Sequence, residues 1–176
     1  MRSIPLTRPY ARRLVSDPSG PRVFVRVPRE HGHGRTARAR LPSAAQLRNV
    51  VLRTLAEAAP QVAGDVTVVV TNDASIRALN RRFRNKDAPT DVLAFPIGDG
   101  LRREEPFGDV VISVDTAKRQ ARDYGATLMH EMNRLLIHGT LHLCGYDHHE
   151  RAQAARMHGL TRRLLRKMSD STAAHA

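Results

Sequence analysis

The chain has 176 residues, of which 41% are hydrophobic and 26% are charged, and this composition predicts one folded domain with short tails. No apolar run approaches the roughly 18 residues that a membrane-spanning helix needs, which excludes an integral membrane protein. The single cysteine, Cys144, excludes an internal disulfide. The formal net charge of +12 indicates a polyanionic partner such as nucleic acid.

Most of this charge lies at the start of the chain, because residues 1–40 hold ten arginines and only two acidic residues. Residues 1–21 lack periodicity and are predicted to form a disordered basic extension. An organellar transit peptide is an alternative interpretation of this segment, whereas a bacterial basic tail would leave the protein in the cytoplasm. Residues 22–168 form the predicted folded domain, and residues 169–176 a flexible tail.

The periodicity of apolar residues predicts four strands along the domain. Residues 22–27 alternate apolar and basic side chains, as a strand with one buried face does. The run VTVVV is apolar and β-branched, which is typical of an interior strand. Pro89 and Pro96 bracket an extended segment, because proline disfavours helix at and before its own position. The predicted strands are residues 22–27, 66–70, 91–95 and 108–113.

Helices are predicted between and after these strands. Ser43 is the expected N-cap of a helix that runs to about residue 59, and Asn72 or Asp73 caps the next helix. Asp115 is the expected cap of a third helix, which ends near residue 124. A long helix starts at Thr127 and is apolar nearly all round, so it should be the buried central helix. The last helix is predicted over residues 149–168, with a basic face.

Within the central helix, His138 and His142 are four residues apart, which places both imidazoles on one face. Gly145 is a natural helix terminator, and His148 follows ten residues after His138. This spacing matches the zinc signature H-E-x-x-H-x-x-G-x-x-H, with Gly139 in place of the glutamate. The motif therefore predicts one zinc ion per chain, held by three histidines with a fourth position open for catalysis.

The glycine at position 139 affects the predicted mechanism, because the glutamate of the protease signature is the general base. The proton acceptor would have to come from elsewhere in the chain. Asp147 is a candidate for orienting a ligand histidine, and capping the last helix is the equally weighted alternative.

A basic cluster follows the second helix and includes Arg81, Arg84 and Lys86. Arginine presents a planar fork that suits phosphate oxygens, so this cluster could clamp a phosphodiester. An exposed basic helix end that offsets the helix dipole explains the same residues, and these two interpretations stay open at this point.

Three segments, LNRRFRNKDAPTDVLAFP, GDVVIS and RLLIHGTLHLCGYDHHE, together resemble the YbeY family of zinc-dependent endoribonucleases and ribosomal RNA maturation factors. The resemblance covers residues 22–168. It implies that His138, His142 and His148 bind zinc and that Arg84 is catalytic. From the basic cluster itself, Arg81 and Lys86 are candidate substrate contacts. The resemblance also implies cleavage of single-stranded ribosomal RNA on the small subunit, and a ribosome-assembly GTPase and a small-subunit ribosomal protein as further candidate partners.

The expected fold is a single α+β domain with a roughly four-stranded mixed sheet, whose central helix carries a zincin-like motif. The expected function is small-subunit maturation and ribosome quality control by RNA cleavage. The alternatives are an assembly factor with weak or no nuclease activity and, less favoured because of Gly139, a zinc metalloprotease. Aromatic residues make up 4% of the chain, so a broad base-stacking platform is not expected.

Overall fold

A four-stranded mixed sheet organises the computed structural model, which describes residues 20–27, 41–148 and 150–173. The predictions made for residues 1–19, 28–40, 149 and 174–176 lie outside this range. The strands run in the order β1-β2-β4-β3. Strands β1, β2 and β4 are parallel to one another, and β3 is an edge strand that pairs with β4 in the antiparallel direction. Their bounds are Val23–Arg26 for β1, Asp65–Thr71 for β2, Val92–Pro96 for β3 and Pro106–Ser113 for β4.

Five helices accompany the sheet in the described part of the chain. Helix α2 lies between β2 and β3, so the chain leaves β2, crosses by way of α2, and enters the sheet again at its edge. The bounds are Ala44–Ala58 for α1, Asp73–Arg84 for α2, Val114–Asp123 for α3, Leu128–Leu143 for α4 and Arg151–Ala173 for α5. The predicted α+β domain with a four-stranded mixed sheet is confirmed.

The two faces of the sheet are covered by different helices, because successive side chains of a strand point to opposite sides. On one face, valines of β2 and β4 join the buried side chains of α1, α4 and α5 in the main core. On the other face, Leu93 and Val111 pack with Ile76 of α2 in a smaller cluster. Helices α4 and α2 therefore lie on opposite faces of the sheet.

Two of the predicted helix caps are correct and one is wrong. Ser43 forms a capping box with Gln46 at the start of α1, and Asn72 caps α2 by accepting the backbone N–H of Ser75. The predicted cap of α3, Asp115, lies instead in the first turn of that helix, and Ser113 is the N-cap. The Asp115 carboxylate accepts the backbone N–H of Asp73 at 3.1 Å, so it links α3 to the start of α2.

The last helix also differs from the prediction, because α5 begins at residue 151 and continues to residue 173. Part of its basic face is neutralised within the fold. Arg163 and Lys167 each lie 2.8 Å from a different carboxylate oxygen of Glu57 on α1. Other arginines of α5 are exposed, namely Arg151, Arg156, Arg162 and Arg166. Among the described residues, no helix combines the length and the hydrophobicity that crossing a membrane requires.

Candidate metal centre

Helix α4 places two imidazoles side by side, because residues four apart lie on the same face of a helix. The Nε2 atoms of His138 and His142 are 3.1 Å apart, and the ring centroids are 4.7 Å apart. Both side chains are half-buried, whereas the residues around them on α4 are mostly buried. The helix thus presents two nitrogen ligands at the boundary between the core and solvent.

The third histidine is brought to the same place by the turn that ends α4. The backbone N–H of Gly145 bonds to the carbonyl of His142, and that of Tyr146 bonds to the carbonyl of Leu141. These two bonds form a Schellman motif, which needs a left-handed residue at its centre, and Gly145 has a φ of +82°. The chain reverses here and returns His148 to the ends of the other two side chains.

His138, His142 and His148 form a cluster that we call the histidine triad. One ligand nitrogen from each ring lies within 4.8 Å of the other two, so the triad could hold a metal ion. The His148 ring centroid is 5.8 Å from that of His138 and 5.2 Å from that of His142. Two nitrogens on a tetrahedral zinc lie about 3.4 Å apart, close to the separation found on α4.

The surroundings of His138 and His142 favour the neutral imidazoles that a metal requires. Burial lowers the pKa of His138 to about 4, with further contributions from His142 and His148. Burial also lowers the pKa of His142, followed in size by the charge of His148. Near neutral pH, both rings on α4 therefore keep a free lone pair for a metal ion.

Gly139 follows His138 on α4 and lies at a close contact between this helix and the sheet. An added Cβ at this position would lie 2.6 Å from Val110 Cγ1 and 3.0 Å from Val92 Cγ2. The glutamate of the protease signature has no room here, because strands β3 and β4 occupy its space. The missing glutamate therefore follows from the close packing of this helix on this sheet.

Arg84 is the last residue of α2 and lies near the triad although α2 and α4 cover opposite faces of the sheet. Its positive charge contributes to the lowered pKa of His142, after the larger effects of burial and His148. Its side chain is exposed. The left-handed residue Asn85 ends the helix directly after Arg84.

The other two residues of the predicted basic cluster occupy different surroundings. Arg81 lines an open cavity of about 480 Å³ along α2, together with Arg77 and Asp87. Arg77 bonds to both carboxylate oxygens of Asp87, at 2.8 and 2.9 Å. Lys86 is exposed, and its backbone N–H bonds to the carbonyl of Asn80. Of the three, Arg84 contributes to the lowered pKa of His142.

Asp147 contacts the third histidine through the backbone. Its carboxylate accepts the N–H of His148 at 2.6 Å, and the same oxygen lies 3.9 Å from His148 Nδ1. Its negative charge also opposes the lowering of the pKa of His142. Helix α5 begins four residues after Asp147.

Sequence reasoning missed a polar network on the other side of His138. Glu131 is almost fully buried at 1% exposure and accepts three hydrogen bonds from Arg134. The Arg134 guanidinium lies 3.8 Å from Asp91, which also accepts a hydrogen bond from Gln120. The charges of Asp91 and Arg134 act on the pKa of His138 in opposite directions. The spacing of four residues between Arg134 and His138 was a signal that both face the same side of α4.

Comparisons with known proteins agree on one family. The family model described as "Endoribonuclease YbeY" matches residues 35–169. A relative of that name from Heliobacterium modesticaldum is 46% identical over 113 residues, which cover 58% of this chain and 68% of the relative. A relative of the same name from Myxococcus xanthus is 52% identical over 104 residues, which cover 57% of this chain and 35% of that longer protein.

A solved structure supports the fold. The solution structure of a Thermotoga maritima protein matches with a TM-score of 0.54 and 25% sequence identity. The match covers 88% of this chain and 93% of the Thermotoga protein.

Proposed function

The chain belongs to the YbeY family of endoribonucleases, whose reaction is the hydrolysis of phosphodiester bonds, and we propose that it uses zinc to cleave single-stranded RNA. The observation that carries this proposal is the histidine triad, in which one ligand nitrogen from each ring lies within 4.8 Å of the other two. Three histidines leave one position of a tetrahedral zinc for water or substrate, as in catalytic rather than structural sites.

When bound, zinc supplies Lewis-acid polarisation of a phosphoryl oxygen and activation of a water molecule. The three imidazoles are neutral ligands, so they leave the positive charge of the site uncompensated, which favours an anionic phosphodiester. Arg84 is the proposed catalytic arginine, because its guanidinium can donate to phosphate oxygens and stabilise the charge that develops on them. Asp147 orients His148 through the hydrogen bond to its backbone.

The net charge of the chain supports RNA rather than peptide as the substrate. The chain carries a net charge of +12, and each phosphate that it neutralises releases counterions and strengthens binding. A metalloprotease is disfavoured by Gly139, because the general base of that class has neither a side chain nor space at this position.

The substrate in the cell is proposed to be ribosomal RNA of the small subunit, in a cytoplasmic maturation and quality-control step. The exposed arginines of α5 support this proposal, since they would add contacts to a large folded RNA. A ribosome-assembly GTPase and a small-subunit ribosomal protein are the proposed protein partners. An assembly factor with little nuclease activity is the second candidate, favoured by the same arginines.

Metal analysis of the purified protein, combined with a cleavage assay, tests the proposal. We expect one zinc per chain and chelator-sensitive cleavage of single-stranded RNA, with duplex RNA and casein left intact. Cleavage of casein without cleavage of RNA would establish the protease instead. Binding to small ribosomal subunits with neither activity would establish the assembly factor.

Two variants separate metal binding from catalysis. His142→Ala should lose both the metal and the cleavage, because it removes a ligand. Arg84→Glu should keep the metal and lower kcat/KM roughly 100- to 1000-fold, the usual effect of removing one donor to the transition state. Arg122→Glu is the matched control, since Arg122 is also an exposed arginine in the last turn of a helix. Full RNA cleavage by His142→Ala or Arg84→Glu would refute the assigned roles.

A further inference from the structure

Phe83 is an exposed aromatic ring next to the proposed catalytic arginine. It precedes Arg84 on α2, and 54% of its surface is open to solvent. By contrast, Phe107 is buried in the main core at 4% exposure. Packing in the core therefore explains the presence of Phe107, but it does not explain the presence of Phe83.

The Phe83 ring is held in place by its two neighbours. Phe95 of the edge strand β3 packs against it edge to face, with the centroids 5.1 Å apart and the planes at 64°. The guanidinium carbon of Arg82 lies 5.3 Å from the Phe83 centroid, within the range of a cation–π interaction. Contacts of this kind limit the motion of the ring, so that a ligand which stacks on it meets a preorganised surface.

The surroundings of this ring are cationic rather than apolar. Arg81, Arg82, Arg84 and Lys86 are all exposed within three residues of Phe83. The nearby acid, Asp87, is already bonded to Arg77. A protein-docking site would instead combine exposed apolar side chains into a patch with few charges. One ring among several cations is complementary to an unpaired base and its phosphates.

We propose that Phe83 is a base-stacking subsite, on which an unpaired base of the RNA stacks while Arg84 contacts the adjoining phosphate. This inference rests on the proposed function and adds a reason for the single-strand specificity. A base within a duplex is already stacked and cannot lie on the ring without being extruded. Stacking on a phenyl ring tolerates every base, so the subsite selects for unpaired nucleotides rather than for a sequence.

The test compares Phe83→Leu, which keeps an apolar side chain but loses the π-face, with Phe83→Tyr, which keeps it. Phe24→Leu is the matched control, because Phe24 also has an arginine over its ring, 5.7 Å away, but lies on β1 at the opposite edge of the sheet. The zinc-loaded full chain is mixed rapidly with single-stranded RNA containing 2-aminopurine, whose fluorescence falls on stacking. KM and kcat are measured on the same RNA without the probe.

We expect Phe83→Leu to lose the fluorescence quenching and to raise KM roughly 5- to 150-fold, the loss typical of one base–aromatic stack. Phe83→Tyr and Phe24→Leu should behave like the wild type. An RNA with one abasic position should identify the stacked base. Removal of that base should weaken cleavage by the wild type and have little further effect on Phe83→Leu.

The inference is overturned if Phe83→Leu matches Phe24→Leu in quenching and KM while the wild type cleaves RNA, and the proposed function then stands. It is also overturned if the ratio of wild-type to Phe83→Leu cleavage is the same for every abasic RNA, wherever its missing base lies. The ring would then only support Arg84. Loss of a protein contact without any change in RNA binding would assign the ring to protein docking. A wild type that neither binds nor cleaves RNA would refute the proposed function together with the inference.

Discussion

Replacing Gly139 with alanine tests whether α4 approaches the sheet as closely as the structure indicates. The new Cβ would lie 2.6 Å from Val110 Cγ1 and 3.0 Å from Val92 Cγ2. Carbon atoms prefer separations of about 3.5–4.0 Å, so either the helix moves away from the sheet or both valines change position. Val110 is fully buried, and β-branched side chains have few alternative rotamers, so neither change is easy.

Two opposing effects set the size of the change in stability. Overpacking of a core typically costs about 1–3 kcal/mol, and contact with two stiff valines places this site near the upper end. Alanine is favoured over glycine in a helix by about 1 kcal/mol, which offsets part of the cost. We therefore expect Gly139→Ala to lower the free energy of unfolding by about 1–2 kcal/mol. This corresponds to a decrease in Tm of about 2–8 °C for a domain of this size.

Gly159 on α5 is the matched control, because it is also a helical glycine but an added Cβ would meet no atom within 4 Å. Only the helix propensity changes there, so Gly159→Ala should stabilise the protein by about 0.5–1 kcal/mol. Urea and thermal unfolding of both variants measure the two opposite shifts. An increase in Tm for Gly139→Ala as large as that for Gly159→Ala would refute the close contact.

A double substitution identifies the clash itself. Val110→Ala removes the methyl group nearest to the new Cβ. The double variant should therefore lose less free energy of unfolding than the sum of the losses of the two single variants. We expect a favourable coupling of about 1 kcal/mol. Gly139→Ala should also keep its zinc, since the whole triad moves with α4, but lose activity as α4 shifts relative to Arg84.

Three further predictions concern the network, the first turn of α2 and the metal. Glu131→Gln should lower the free energy of unfolding by about 2–3 kcal/mol in urea denaturation, because it leaves the Arg134 charge without its buried partner. Burial raises the pKa of Asp73, but hydrogen bonds from Ser113 and its neighbours outweigh this effect and the net shift is downward. The stabilisation by Asp73 is therefore present above its unfolded pKa of about 4 and lost as the pH falls through the lower folded value. Asp73→Asn should accordingly be less stable than the wild type at pH 7, by a difference that shrinks toward pH 3. Zinc at 100 times its Kd should stabilise the metal-free protein by about 2.7 kcal/mol, seen as a higher Tm, and His138→Ala should show no such increase.

The local features of this chain follow from its sequence because they depend on residues close together along it. The spacing of His138, His142 and His148 around Gly145 predicts a shared site, since one helical face and one left-handed turn are enough to assemble it. Hydrophobic periodicity likewise predicts the four strands and the buried α4. The YbeY family, predicted from three short segments, is confirmed by the matches to the family model and to the relatives of that name.

Other features depend on how distant segments pack, and they appear only in the tertiary structure. The strand directions are of this kind. So are the effect of Arg84 on the pKa of His142 and the contact of Phe83 with Phe95, because each joins residues that lie on different elements. The sequence shows that glycine takes the place of the glutamate at position 139. The physical reason for the glycine, two valine methyl groups in the space of a side chain, exists only once β3 and β4 lie beneath α4.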